Sequence, residues 1–76
     1  MESMKNLILE FFPKADLSHV EKLGVGTTES WDSVNHFNFM MAVEEEYNVQ
    51  FSTEEISELK NISQIITSLK EKGVSF

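Results

Sequence analysis

Cysteine is absent from the 76 residues. That absence excludes a disulfide framework, a thiolate nucleophile and a cysteine-based metal site, and it fits a reducing cytoplasm, the expected location. No apolar run approaches the roughly 18 residues of a membrane span. Met1-Glu2-Ser3-Met4-Lys5 lacks the charged-then-apolar order of a signal peptide. Bases are scarce: six face thirteen acids, a formal charge of −7. Nucleic acid is therefore a poor ligand, because its phosphates are neutralised by Lys and Arg. A basic protein surface suits this balance better, and acidity also aids solubility. There is no phosphate-binding glycine loop, no Gly-x-Ser-x-Gly elbow, no Asp-x-Asp-x-Asp-Gly calcium loop and no internal repeat. The single proline, Pro13, and the glycines at 24, 26 and 73 therefore stand out as punctuation.

What is present is helical periodicity in one small domain spanning residues 1–76. Met4, Leu7, Ile8, Phe11 and Phe12 share one helical face, with Ser3 as N-cap and Pro13 stopping the helix at Phe12. Residues 13 to 30 read as a long loop. Leu17, Val20 and Leu23 are spaced for a short turn around Ser18 to Lys22, and Gly24, Gly26, Thr27 and Thr28 read as irregular chain. The second helix runs from an Asp32 or Ser33 cap to Tyr47, followed by an extended exit over Asn48 to Phe51. Ser52-Thr53-Glu54-Glu55 has the form of a capping box for a short third helix, with Ile56 and Leu59 inward. Asn61-Ile62-Ser63-Gln64 resembles a second box. The last helix carries Ile62, Ile65, Ile66 and Leu69 on one stripe. Lys70 and Lys72 sit near its negative end, Gly73 acts as C-cap, and Val74, Ser75 and Phe76 are expected to fray. The fold class is all-α, four helices with a long first loop and a short third helix.

The second helix has two apolar arcs at about 100° per residue. Phe39, Met40, Val43 and Tyr47 form one, with His36 inside it, and this is the expected core face. Val34, Phe37 and Met41 form the other, surrounded by Asn38, Glu44, Glu45 and Asn48. Either the helix is central and the first loop covers both arcs, or the second arc is at least partly exposed. The second alternative is the expectation, because a bundle this small rarely buries two sides of one helix. An exposed strip framed by acids suits a basic partner with an apolar groove.

Ser33 reads first as a cap. A nucleophilic role would need a base, and the chain offers only His19 and His36. His36 is three residues on but reads better as a packed polar residue at the core edge. Glu44, Glu45 and Glu46 point about 100° apart and do not converge on one cation, so no metal site is expected. Glu46 reads as a solvated charge, and Trp31 as an anchor of the loop in the core.

Taken together, Asp32-Ser33-Val34 followed by Met41-Ala42-Val43-Glu44-Glu45-Glu46-Tyr47 resembles the acyl carrier protein family, whose pattern is Asp-Ser-Leu at the start of the second helix, then an apolar helix closing in acids and an aromatic. The position of the serine, the length, the acidity and the order of helices agree over roughly residues 4 to 72. The resemblance implies an acyl-carrier-like four-helix bundle, a monomer without catalysis of its own. A phosphopantetheinyl transferase would attach 4'-phosphopantetheine from coenzyme A to the Ser33 hydroxyl, with Asp32 as acidic neighbour. The thiol of that arm would carry acyl intermediates as thioesters between acyl-loading, transferring or condensing enzymes with basic docking surfaces. By position, Val34, Phe37, Asn38, Met41, Glu44 and Glu45 would face partners, and Phe39, Val43 and Tyr47 the core. Ser30-Trp31-Asp32-Ser33-Val34 lacks the family's frequent glycine before Asp-Ser and the leucine after it. Asn38 stands where housekeeping fatty-acid carriers have an acid, and Phe37 and Phe39 are bulkier than usual. Among fatty-acid, polyketide and related pathways, these departures point toward a specialised one. The rival reading is a small helical interaction adaptor without a prosthetic group.

Overall fold

The structure, a computed structural model, describes residues 2–26, 28 and 31–75. Thr27 of the expected loop, Ser30 before Trp31 and Phe76 of the expected frayed end lie outside them. The architecture is all-α: α1 spans Glu2–Phe11, α2 Ser33–Tyr47, α3 Thr53–Glu58 and α4 Ile62–Glu71, with a 3-10 turn at Leu17–Lys22 in the first loop. Among the described residues no strand forms, and one isolated antiparallel bridge joins Gly24 to Asn61. No helix among them is long and apolar enough to cross a membrane.

α1 starts earlier than its sequence signals suggest. Ser3 lies inside the helix and is not its N-cap. Its hydroxyl shares a 2.7 Å hydrogen bond with the Tyr47 hydroxyl at the far end of α2. The long-range partner claims the group that a local reading gives to capping. Met4, Leu7 and Ile8 face the core as the periodicity predicts. The helix ends at Phe11, one residue short of the expected stop. Phe12 still donates its N–H to Ile8 at 2.7 Å, and its ring is buried.

The first loop is packed. Asp16 caps the 3-10 turn by accepting the Ser18 N–H at 2.9 Å. That bond, with a smaller contribution from the Ser18 side chain, holds the Asp16 carboxyl below the ordinary carboxylate range. Val20, Leu23 and Trp31 bury their side chains. The Val25 N–H donates to the Lys60 carbonyl and the Ile62 N–H to the Leu23 carbonyl, each at 2.8 Å, which staples the loop to the start of α4. Gly24 sits between these bonds because nothing larger fits. A Cβ there would collide with the Lys60 carbonyl oxygen and come within 2.7 Å of the Asn61 Cα.

Ser52 and Glu55 form the expected reciprocal box on α3, at 2.9 and 3.1 Å. Asn61 caps α4 through the Gln64 N–H, but the return bond differs from a capping box. Gln64 accepts the N–H of Lys60, one residue before the cap, and not that of Asn61. At the other end Lys72 is the cap residue and Gly73 follows it at φ 96°. The Gly73 N–H bonds Lys70 and the Val74 N–H bonds Leu69, each at 3.0 Å, the pattern of a Schellman motif. Val74 is half-buried against the core, so the expected fraying does not begin there.

The core is aromatic at its α1–α2 end. Phe12 stacks on Trp31 with ring centres 4.0 Å apart and planes 6° from parallel. Phe39 packs its edge against Trp31 at 5.2 Å and against Phe11 at 5.9 Å. Such contacts add about 0.5–1.5 kcal/mol per pair beyond area burial. Trp31 thus anchors the loop in the core, as its sequence context predicts.

Candidate functional site

The site begins with a division of labour at the head of α2. Asp32 is extended, at φ −99° and ψ −177°, and its Oδ1 accepts the Asn35 N–H at 2.9 Å. Its carbonyl accepts the His36 N–H at 2.8 Å. Asp32 is therefore the N-cap, and Ser33 is the first helical residue. Of the two capping candidates, the one placed three residues before the bonded amide takes the role. The Ser33 side chain is exposed, and no hydrogen bond engages its hydroxyl among the described residues.

Below Ser33 the two apolar arcs separate. His36, Phe39, Met40 and Val43 are buried, and Tyr47 is half-buried. Val34 is 69%, Phe37 44% and Met41 51% exposed. The loop does not cover both arcs, and the exposed alternative holds. Asn38 and Glu45 lie in solvent beside the strip. Glu44 is only half-exposed. Its Oε2 accepts the Phe51 N–H at 2.7 Å and fixes the chain as it leaves α2. That structural task was not visible in sequence. Asn48 ends the helix in the left-handed conformation, φ 55° and ψ 48°, which Asn tolerates well. α2 carries three carboxylates and no Lys or Arg, so its outer face is one-signed.

His36 is not free to serve Ser33. It is buried, 6% exposed. Its Nδ1 accepts the Trp31 indole N–H at 2.9 Å, so the ring proton resides on Nε2, which donates to the Ile56 carbonyl at 3.0 Å. Both nitrogens are committed, and neither has a lone pair turned toward Ser33. The packed polar residue expected here is also a relay that ties the chain before α2, α2 itself and α3 together. The spacing of Trp31 and His36 could have suggested a local pair. Ile56, twenty residues on, gave no local signal.

Sequence reasoning also missed a cleft beside Ser33. It encloses about 270 Å³ and is lined by Val25, His36, Phe37, Ile56, Ser57 and Lys60 together with Ser33. Val25 reaches it through the loop-to-α4 staple, and Lys60 through the chain between α3 and α4. A second, shallower hollow lies farther along the strip, bounded by Met41, Glu44, Glu45 and Asn48. The exposed strip thus runs from an apolar cleft at the serine to an acidic hollow near the helix end. Compared with known proteins, the chain has no match among family models, curated proteins or solved structures.

Proposed function

We propose that the chain is an acyl carrier protein, an acyl-carrier-like four-helix bundle modified at Ser33. The observation that carries this reading is the capping role of Asp32, which leaves the Ser33 hydroxyl exposed, without a bond among the described residues, beside an exposed apolar strip. A hydroxyl used as a cap would have to be released before it could react. One that is free needs no such step. The residues also suit the group to be attached. Ser33 is the first residue of a fifteen-residue helix, whose positive end favours a phosphodiester. The phosphopantetheine arm, when bound, supplies the thiol that a cysteine-free chain lacks. In the loading step the Ser33 Oγ forms a bond to phosphorus and the pyrophosphate link of coenzyme A breaks. Adenosine 3',5'-bisphosphate leaves, and the serine proton passes to a base of the transferase, since His36 has no nitrogen to offer.

In this reading Val34, Phe37 and Met41 dock against apolar grooves of partner enzymes. Glu45, and Glu44 with the oxygen not used by Phe51, meet their basic residues, and Asn38 is a neutral position in the same strip. The specialised pathway is favoured over housekeeping fatty-acid synthesis by Trp31 and Asn38. Trp31 is committed to the Phe12 stack and the His36 bond.

The test is co-expression with a broad-specificity phosphopantetheinyl transferase, followed by intact mass. One phosphopantetheine per chain is expected, and none on Ser33→Ala. No adduct on the unmodified sequence, or an adduct that survives Ser33→Ala, defeats the proposal. The exposed strip also supports a second reading, an adaptor that binds partners through Val34, Phe37 and Met41 alone. That reading predicts partner binding unchanged by Ser33→Ala and by the absence of any transferase.

A further inference from the structure

α4 carries a polar stripe beside its core face. Ser63, Gln64, Thr67, Ser68 and Glu71 fall at i, i+1, i+4, i+5 and i+8, one side of a helix. Together with Glu55, Glu58 and Leu59, the stripe lines a cleft of about 360 Å³ between α3 and α4. It shares no residue with the cleft at Ser33, which takes Ile56 and Ser57 from the other side of α3. Ser68 is the unexplained member. It is only 8% exposed, yet no hydrogen bond engages its hydroxyl among the described residues. Its neighbour Thr67 donates back to the Ser63 carbonyl at 3.0 Å, and Ser68 makes no such bond to Gln64. Among the described residues no fully buried polar side-chain atom lacks a partner. The little surface that the Ser68 oxygen keeps therefore opens into the cleft it lines. A hydroxyl so nearly buried without a partner is destabilising, and a bound donor relieves it.

The surrounding charges select the donor. Glu55 is engaged: one oxygen accepts the Ser52 N–H at 2.9 Å and the other meets Lys72 at 3.1 Å. Glu58 and Glu71 have neither an ion pair nor a hydrogen bond on their carboxylates among the described residues. Each is the last residue of its helix, where the negative end of the backbone disfavours a carboxylate and favours a cation. No Lys or Arg lines the cleft. A metal ion does not fit, because among the described residues no three His, Asp or Glu side chains gather closely enough to hold one. The Lys60 N–H bond to Gln64 sets the end of α3 by the start of α4. The Lys72–Glu55 pair sets the end of α4 by the first turn of α3. Glu58 and Glu71 thus mark opposite ends of a cleft that follows α4 for about 12 Å, at 1.5 Å per residue. The half-buried Leu59 supplies its apolar lining.

We infer that this cleft binds a linear aliphatic polyamine, extended along α4 between Glu58 and Glu71. The ammonium at Glu71 also donates to the Ser68 oxygen one turn away, since its three N–H groups serve both. The other end meets Glu58, and the methylenes lie along Leu59 and gain from its burial. The ligand is held whether or not Ser33 carries an arm.

The test titrates the full chain with diaminopropane, diaminohexane and diaminooctane at constant ionic strength and neutral pH, where all three carry two charges. Binding is followed by amide NMR and calorimetry. Diaminooctane should bind once per chain, saturate at millimolar ligand or below, and shift the amides of Glu58, Leu59, Ser68 and Glu71. Diaminopropane is too short to reach both carboxylates and should bind about fivefold more weakly. Acetyl-lysine amide, which offers one ammonium as a partner's lysine would, should be as weak. Glu58→Gln and Glu71→Gln should each weaken diaminooctane about fivefold. Ser68→Ala should weaken it about threefold while Tm stays or rises, because an unpartnered hydroxyl gives way to a better helix former. Glu10→Gln removes the same charge on α1 and should leave the affinity unchanged. Affinity independent of diamine length, or shifts spread over the acids of α2 without saturation, overturns the inference. So does affinity undiminished in any of the three cleft variants. Acetyl-lysine amide binding as tightly as diaminooctane also overturns it, and assigns the cleft to a lysine of a partner.

Discussion

Replacing Asp32 and Ser33 one at a time separates the two residues that the sequence offers for the same job. In Asp32→Ala the Asn35 N–H loses the carboxylate oxygen that it meets at 2.9 Å. Loss of an N-cap costs about 0.5–2 kcal/mol, typically ~1. A domain of this size loses about 4–8 °C of Tm per kcal/mol, so Asp32→Ala should lower Tm by roughly that amount. Asp32→Asn keeps a capping oxygen of equal rank and gives up only the charge at the helix's positive end, about 0.3–1 kcal/mol. Its Tm should fall between the two. Ser33→Ala removes a hydroxyl that makes no bond among the described residues and installs a better helix former, so its Tm should stay within about 0.5 kcal/mol of the original or rise. Thermal unfolding by circular dichroism, read together with the mass assay, gives the answer. Asp32→Asn should remain a substrate of the transferase, whereas Ser33→Ala should be stable and unmodified. If Ser33→Ala loses as much stability as Asp32→Ala, the serine is the cap. The observation that carries the functional reading is then wrong.

Three further outcomes follow from other regions of the molecule. Glu45→Lys should slow acyl transfer by a basic partner enzyme and leave the helix content unchanged, with the effect shrinking at high salt. Glu44→Lys should in addition lower stability by about 1 kcal/mol, because the Phe51 N–H loses its acceptor; equal transfer rates at low salt would count against electrostatic recognition. The Ser52 N–H and, less strongly, Lys72 at 3.1 Å hold the Glu55 carboxyl below the ordinary glutamate range. A depressed folded value means that this contribution is present above the ordinary range and is lost as pH falls through the lowered value. Glu55→Gln should therefore flatten the acid limb of a Tm-versus-pH curve, and an unchanged limb would show that other groups set it. Gly24→Ala should destabilise by about 1–3 kcal/mol through overpacking against the Lys60 carbonyl, measured by urea unfolding. A neutral result would mean that the loop-to-α4 staple is free to move.

Much of α2 was legible because its information is local. Its bounds, its acidic close and the separation of Phe39, Met40 and Val43 from Val34, Phe37 and Met41 all follow from angular position along one helix. The same holds for the Ser52–Glu55 box, whose partners are three residues apart. The features that were not legible are those whose second half lies far along the chain. Ser3 looked like a cap because its partner, the Tyr47 hydroxyl, is 44 residues away. Gln64 was expected to return to Asn61, but it meets the N–H of Lys60, whose carbonyl is held by Val25, 35 residues back in the first loop. His36 reads as packed from its place in the core arc, but nothing nearby reveals that a carbonyl of α3 will meet its Nε2. The cleft at Ser33 belongs to this second kind. It needs Val25, Ile56 and Lys60 brought together by the staple and by α3, and no periodicity in α2 encodes that meeting.

The relay also explains how so small a domain can leave one side of its longest helix uncovered. A 76-residue chain has little core to spare, and Val34, Phe37 and Met41 on the surface are apolar area that contributes little to folding. The opposite side of α2 compensates with ordered aromatic contacts and with a histidine that satisfies both of its nitrogens, so that the buried polar group carries no unpaired penalty. The strip then needs protection from pairing with a second copy of itself. Glu44 and Glu45, which flank it, supply it, because two such faces brought together would oppose carboxylates across an apolar contact. A partner bearing Lys or Arg around a groove faces no such repulsion. In the carrier reading proposed above, the same two acids discourage self-association and favour a basic partner. The neutral Asn38 beside them adds nothing to that attraction and exposes no more apolar surface.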